Sequence, residues 1–188
     1  MALPFTKAWR LARERERRAK VVAEGFGREP DAADVAWLAE AAANGDEDHA
    51  RWELRYARAA LGLLSAQRDA LDDRTSAEIA RAITAMIERD PRIAEDRREL
   101  AAQQFNERLL AYREARSLRG GPITAADATG RCLLAFASDS ARTAGAPLAY
   151  AIELLEKYST ETTELLRQNY GEASLPDDVP PSVLRAES

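Results

Sequence analysis

The chain contains one histidine, His49, and the acidic residues around it are its first candidate for chemistry. Asp46, His49 and Glu53 form a D-x-x-H-x-x-x-E run. Because residues four apart share one face of a helix, His49 and Glu53 could hold a metal ion between them. Ferritin-like di-iron sites need an E-x-x-H motif from each of two helices, which one histidine cannot supply. The acids at 46–48 are explained more simply as the negative first turn of a helix, so we predict no metal site.

Two other groups could support catalysis. Cys132 lies in an apolar run at 132–137, where a packed thiol is usually inert. Asp72 and Asp73 resemble the first half of the aspartate-rich motif of helical isoprenoid synthases, but Ser76 stands where the third aspartate belongs. The chain also lacks a G-x-x-x-x-G-K phosphate loop. We therefore predict that the protein is not an enzyme and uses no cofactor.

Basic residues are concentrated at the N-terminus. Residues 1–20 hold seven lysines and arginines against two glutamates, a surplus of five positive charges. Since the whole chain carries −5, the remaining residues together carry −10. Acidic protein surfaces, anionic lipid headgroups and phosphates all attract such a segment, although the acidic remainder disfavours nucleic acid. The candidate partner-binding residues are Phe5, Trp9, Arg10, Arg13, Arg17, Arg18 and Lys20.

The basic segment also has a purely structural explanation. Glutamate followed four residues later by arginine or lysine stabilises an isolated helix, and both Glu14–Arg18 and Glu16–Lys20 have this spacing. The middle of the segment, residues 13–18, contains no large apolar residue. We therefore expect a charged helix with a weak apolar stripe that projects from the body of the protein.

The composition favours helices. The 188 residues include 39 alanines and 21 leucines but only 6 isoleucines and 5 valines. Alanine and leucine favour helix, whereas β-branched residues favour strand. The predicted fold is all-α, a bundle of about six or seven helices with three long core helices. Aromatic residues at helical spacing would pack in its core, although a small ligand bound between the long helices would contact the same side chains.

Capping and helix-breaking residues predict where the helices begin. Thr6 would cap the first helix, and the fifth should begin at Pro91 or Ile93. The third, from Asp46 to about Leu71, carries two apolar stripes and should lie at the centre of the bundle. Threonine followed three residues later by an acid predicts capping boxes for the fourth and sixth helices. These boxes would be Thr75 with Glu78 and Thr124 with Asp127.

The domain organisation and the location follow from the same pass along the chain. We predict a basic N-terminal helix or arm at 1–24, a bundle domain at 25–171 and an extended acidic, proline-containing tail at 172–188. No apolar stretch approaches the roughly 20 residues that span a bilayer, and the basic N-terminus lacks the apolar core of a secretory signal. These features predict a cytoplasmic protein that could associate peripherally with a membrane.

The functional hypothesis is a non-catalytic accessory protein that docks onto a larger assembly through its basic arm, for example at the cytoplasmic face of a membrane complex. Its partner would be a protein, with an anionic membrane surface as a second contact, and nucleic acid is not expected. Two alternatives remain open. They are a helical regulator that binds a small ligand, and a helical enzyme or metal-binding protein that uses His49 with Glu53 or Asp72 with Asp73.

Overall fold

The computed structural model describes residues 6–68, 73–138 and 145–171, and these residues form only helices and the turns between them. The helices are α1 (Lys7–Phe26), α2 (Ala32–Ala41), α3 (Glu47–Arg68), α4 (Asp73–Glu88), α5 (Arg98–Ser117), α6 (Ala125–Ala137) and α7 (Ala146–Tyr170), with a 3₁₀ turn at Glu95–Arg97. The predicted all-α bundle of about seven helices is confirmed. The predicted long helices are α3, α5 and α7, and α1 is as long as α5, with 20 residues each.

Local capping was predicted correctly at α1 and α6. Thr6 Oγ1 accepts a hydrogen bond from the Trp9 backbone N at 3.2 Å. Thr124 and Asp127 form a reciprocal capping box, with backbone-to-side-chain distances of 3.0 and 3.1 Å. Each cap pairs backbone N–H groups that the first turn of a helix would otherwise leave unpaired.

Two predicted helix starts are wrong. α4 already begins at Asp73, so Thr75 lies inside its first turn and does not cap it. α5 begins later than expected, at Arg98. Asp90 explains this delay, because its Oδ1 accepts a hydrogen bond from the Arg92 backbone N at 3.0 Å. An aspartate that binds the backbone two residues ahead forms a turn instead of starting a helix.

The centre of the bundle is α3, as its two apolar stripes predicted. Within the described residues α3 contacts each of the other six α-helices. Small residues make this possible, because they let neighbouring helices approach closely. Gly62 is the clearest case: a Cβ added there would lie 2.6 Å from the ring of Phe26 at the end of α1. Glycine at this position therefore lets α1 end directly against α3.

The second half of α1 is part of the core. Ala19, Val22, Ala23 and Phe26 are each no more than 1% exposed. α1 packs there against α3, α4 and α7. The expectation of a projecting helix is therefore wrong for these last two turns, while most side chains of residues 9–18 are at least partly exposed.

Some predicted features lie outside the described residues, namely Phe5, the end of the third helix at Leu71, Asp72 and the tail at 172–188. Among the helices that are described, none is both long enough and apolar enough to cross a membrane.

Candidate functional site

The predicted partner-binding residues lie along the exposed part of α1. Trp9 is half-buried, and the guanidinium carbon of Arg13 lies 5.6 Å from the centre of its ring. This contact is a cation–π interaction that keeps both side chains on the surface of the helix. The structure thus places six of the seven predicted residues on one helix. The other four described residues, all exposed, are Arg10, Arg17, Arg18 and Lys20.

Glu14 holds two of these cations. Its Oε1 lies 3.0 Å from Arg17 Nη2 and 2.9 Å from Arg18 Nε, so the predicted Glu14–Arg18 pair is present. Hydrogen bonds from Arg17 and then Arg18 lower the pKa of the Glu14 carboxyl. These groups stay in contact with water, which screens their attraction, so the pairs add little to stability.

The second predicted pair along α1 does not form. Glu16 Oε2 lies 3.2 Å from Arg13 Nη1, and Lys20 Nζ lies 3.8 Å from Glu24 Oε1. Residues 7–24 carry seven cations against three carboxylates, so four positive charges are not balanced within the helix. The exposed side of α1 is therefore cationic even with its internal pairs formed.

A groove of about 720 Å³ runs between α1 and α4. Its apolar lining consists of five alanines, Pro91 and Met86, and Met86 is the only one of these with a long side chain. Charged side chains from both helices surround this lining. We call it the α1–α4 groove, and it is lined by Ala12, Glu16, Ala19, Lys20, Ala23 and Glu24 from α1, by Glu78, Arg81, Ala82, Ala85 and Met86 from α4, and by Arg89, Asp90 and Pro91 after it.

The α4 side of the groove carries charges without ionic partners. Arg81 and Arg89 are exposed and form no ion pair within the described residues, although Arg81 Nε donates to the Ala77 carbonyl oxygen at 3.2 Å. The Glu78 side chain is only 15% exposed, and its Oε1 lies 3.6 Å from Arg74 Nε. Its buried Oε2 accepts no hydrogen bond within the described part of the chain. The groove thus offers two cations and one buried acceptor.

One end of the groove is fixed by Asp90, a residue that sequence reasoning did not select. Arg55 Nη2 on α3 donates to Asp90 Oδ2 at 2.8 Å, and Arg92 Nη2 donates to the same oxygen at 3.0 Å. Burial alone would raise the pKa of the Asp90 carboxyl, but the hydrogen bonds from Arg92 and Arg55 outweigh it and lower that pKa well below its usual range. Arg92 also pairs with Glu29 at 3.1 Å, which joins the chain after α4 to the chain after α1.

Trp52 completes this cluster. The guanidinium carbons of Arg55 and Arg92 lie 4.4 and 5.4 Å from the centre of its ring. Two cations held on one indole, and bridged by one carboxylate, form a rigid support for the end of the groove. No sequence signal marks the cluster, because Arg55 and Asp90 are 35 positions apart and belong to different predicted helices.

No family model matches this chain. The comparisons with curated proteins and with solved structures also found no similar protein. Information about the function therefore comes from the side chains themselves.

The candidate metal ligands Asp46, His49 and Glu53 form hydrogen bonds with other groups of the protein. Glu53 accepts hydrogen bonds from Arg108 Nη2 at 2.7 Å and from Arg108 Nε at 3.1 Å. His49 Nε2 lies 3.1 Å from the Phe136 carbonyl oxygen, and Asp46 Oδ1 accepts the His49 backbone N–H at 3.0 Å. The described residues contain no group of three or more histidine, cysteine, aspartate or glutamate side chains that could hold a metal ion. Asp46 thus caps α3, and Glu53 neutralises a buried arginine.

Cys132 is half-buried, with Sγ 3.9 Å from the Ala111 carbonyl oxygen. Burial raises the pKa of its thiol, which keeps the reactive thiolate scarce near neutral pH. This environment is that of a packed structural cysteine.

The aromatic residues that could have lined a pocket for a small ligand instead join helices to one another or lie in the core. The Tyr150 ring packs against Trp37, with ring centroids 4.4 Å apart and the rings tilted by 43°, and its hydroxyl donates to Asp34 Oδ1 at 3.0 Å. Lys157 Nζ donates to Asp31 Oδ2 at 2.8 Å. These contacts tie the start of α2 to α7. Tyr56, Tyr112 and Tyr158 are buried in the core.

A smaller cavity of about 220 Å³ lies between α5, α6 and α7. Its hydroxyl groups are already used, since Thr129 donates to the Ala125 carbonyl oxygen at 2.6 Å and Ser159 donates to the Leu155 carbonyl oxygen at 2.9 Å. The α1–α4 groove is larger, lies beside the predicted partner-binding residues and offers unpaired groups. It is the better candidate for a site.

Proposed function

We propose that this protein is a non-catalytic interaction protein that attaches to a protein assembly through the exposed cationic side of α1. The observation that carries the proposal is the unbalanced charge of α1, four positive charges after its own carboxylates are counted. Because the second half of α1 is buried in the core, the charged first half is held in a fixed position on the surface. A rigid cationic surface favours association with an acidic partner and speeds the encounter.

A protein partner is favoured over a lipid surface. An interfacial helix needs its exposed apolar residues on one side. Trp9 and Leu11 are two residues apart, about 200° around a helix, so they point to nearly opposite sides. Glu14 and Glu16 also interrupt the cations and would be repelled by anionic lipid. In the specific form of the proposal, the protein is cytoplasmic and α1 meets an acidic subunit of a membrane complex.

The test removes charge from α1 without removing its core residues. Deleting 1–24 would also delete Ala19, Val22 and Ala23 from the core, so substitutions are more informative. The side chains of Arg13, Arg17 and Lys20 are 64%, 71% and 74% exposed. We expect the triple variant Arg13→Gln, Arg17→Gln, Lys20→Gln to fold normally and to lose its partner. Tagged protein would be purified from the native host, and its stoichiometric partners measured by quantitative mass spectrometry.

The matched control removes three cations from other surfaces, with Arg97→Gln, Arg113→Gln and Arg119→Gln. It should retain the partner. A partner set that the α1 variant also retains would overturn the proposal, as would the absence of any stoichiometric partner. Binding of the wild type, but not of the α1 variant, to phosphatidylserine vesicles would assign the cationic surface to a membrane instead.

A further inference from the structure

We infer that the α1–α4 groove binds an amphipathic helix of a partner protein, with a stripe of medium-sized apolar side chains and with acidic residues on the flank that faces α4. This inference rests on the proposed function and deepens it, because it names the shape and charge of the partner segment. It is carried by the lining of the groove, whose features each specify one property of the occupant.

The small lining specifies a helix with protruding apolar side chains. Five alanines, Met86 and Pro91 form the apolar surface of the groove. Alanine side chains end at Cβ, so the space of about 720 Å³ above them is not filled by side chains of the described residues. The α1 residues of the lining extend from Ala12 to Glu24, about 18 Å along a helix axis. That length accommodates three turns of a docked helix, with apolar anchors at i, i+3, i+4 and i+7.

The charges specify one acidic flank. Arg81 and Arg89 stand eight residues apart on the α4 side, about 12 Å along a helix, and neither has an ionic partner within the described residues. On the α1 side, Lys20 is held only loosely, at 3.8 Å from Glu24. Glutamates or aspartates on the flank that faces α4 would therefore meet two cations that have no ionic partner within the described residues. On the α1 side Lys20 lies between Glu16 and Glu24, so that side does not call for acidic residues.

Glu78 indicates where the partner helix should carry a polar residue. Its Oε2 is buried in the groove lining without a hydrogen-bond donor. A buried acceptor without a donor is unfavourable, so turning the partly exposed Glu78 carboxylate toward a hydroxyl, amide or amine of the occupant would gain a hydrogen bond. The expected partner helix therefore has one polar donor within its apolar stripe.

Other occupants fit less well. A second copy that docked symmetrically would bring Arg81, Arg89 and the cationic surplus of α1 against the same cations. The chain's own segment 172–188 is acidic, but Pro176, Pro180 and Pro181 disfavour a helix. These two occupants are distinguished by experiment below.

The experiment selects the occupant from a peptide library. A displayed library of amphipathic helices about 20 residues long would carry leucine, methionine or alanine at the inner positions and glutamate or lysine at the flanks. Selection against the full-length protein should enrich glutamate at one flank, the one that faces Arg81 and Arg89. The enriched peptide should bind the wild type about tenfold more tightly than its glutamate-to-lysine counterpart.

Variants then locate the binding. Ala85→Phe fills the groove from a half-buried position and should weaken binding of the enriched peptide at least about tenfold. The matched control Ala102→Phe places the same ring on a half-buried position of α5 and should leave binding unchanged. Arg81→Glu with Arg89→Glu should reverse the preference at that flank toward lysine. Thermal denaturation would verify that each variant is folded.

Three outcomes would overturn the inference: no enriched peptide, enrichment of lysine at both flanks, or binders that are insensitive to Ala85→Phe. Concentration-dependent dimerisation that Ala85→Phe abolishes would assign the groove to a second copy. A gain in peptide affinity when 172–188 is deleted would assign it to the chain's own tail. A native partner that depends on the α1 cations but not on Ala85 would leave the proposed function standing while this inference fails.

Discussion

α3 and the first half of α1 use the same kinds of charged side chain in opposite ways. On α3, the Glu53, Arg55 and Arg58 side chains are 3%, 9% and 10% exposed and pair with groups from elsewhere in the bundle. On α1, Arg17 is 71% exposed and pairs with a residue three positions away. A buried pair between distant residues requires one arrangement of the bundle, whereas a local exposed pair only supports its own helix. The comparison separates charges that organise the fold from charges available to a partner.

The strongest test of this comparison is Glu53→Ala. Removing Glu53 would leave Arg108 buried, with its guanidinium against the Phe136 ring at 4.5 Å and without a carboxylate for its Nε and Nη2 groups. Arg108 Nη1 would keep only its longer pair with Glu107, at 3.4 Å. Breaking a buried pair costs about 3–5 kcal/mol, so we expect a loss near the lower end of that range in the free energy of unfolding. Urea denaturation would measure it. A loss no larger than that of an exposed residue would show that the two helices do not differ in this way.

Asp90→Asn tests whether the cluster at the end of the groove acts through charge. At pH 7 we expect a loss of about 3 kcal/mol, because Arg55 and Arg92 would lose their shared carboxylate. The folded-state pKa of Asp90 is lowered, so its contribution is fully present above the unfolded value near 4 and is lost as pH falls toward the folded value. Urea midpoints of both proteins should therefore converge on acidification below about pH 4. A difference that does not change with pH would contradict an ionic role.

Gly62→Ala tests the contact between the two helices, because Gly62 on α3 packs against Phe26 at the end of α1. The added Cβ would lie 2.6 Å from Cδ2 of the Phe26 ring, so the end of α1 must shift. Overpacking of this kind costs about 1–3 kcal/mol. Thermal denaturation would show the loss. If the variant were as stable as the wild type, the end of α1 would not be fixed against α3.

Glu14→Ala is expected to have the smallest effect. Its pairs with Arg17 and Arg18 are local and exposed, so the unfolding midpoint should not change measurably. The same substitution at Glu53 is its natural control. A marked loss of stability would mean that the first half of α1 is organised as the core is, and that its cations are not free for a partner.

The sequence predicted those parts of the fold that depend on nearby residues. Thr6, Thr124 and Asp127 cap helices because their partners are three positions away, and the stripes of α3 repeat every three or four residues. The core role of α1 was missed because two of its four buried residues are alanines. Such a stripe looks weak in a sequence, yet small residues still pack closely.

The candidate site was predicted only in part. The cations of α1 were visible as a local excess of one residue type, and six of the seven selected positions lie on the described part of that helix. The groove was not visible, because it depends on which sides of α1 and α4 meet. The partners of Arg55 and Glu53 were not visible either, since they lie 35 and 55 positions away.

The contact of α3 with all six other described α-helices has a consequence for how the protein opens. The backbone amides of α3 can exchange their hydrogens with solvent only when most of the bundle separates. The amides of residues 7–18 need only a local opening of one helix end. Hydrogen exchange should therefore divide α1 near Ala19, with its second half exchanging as slowly as α3.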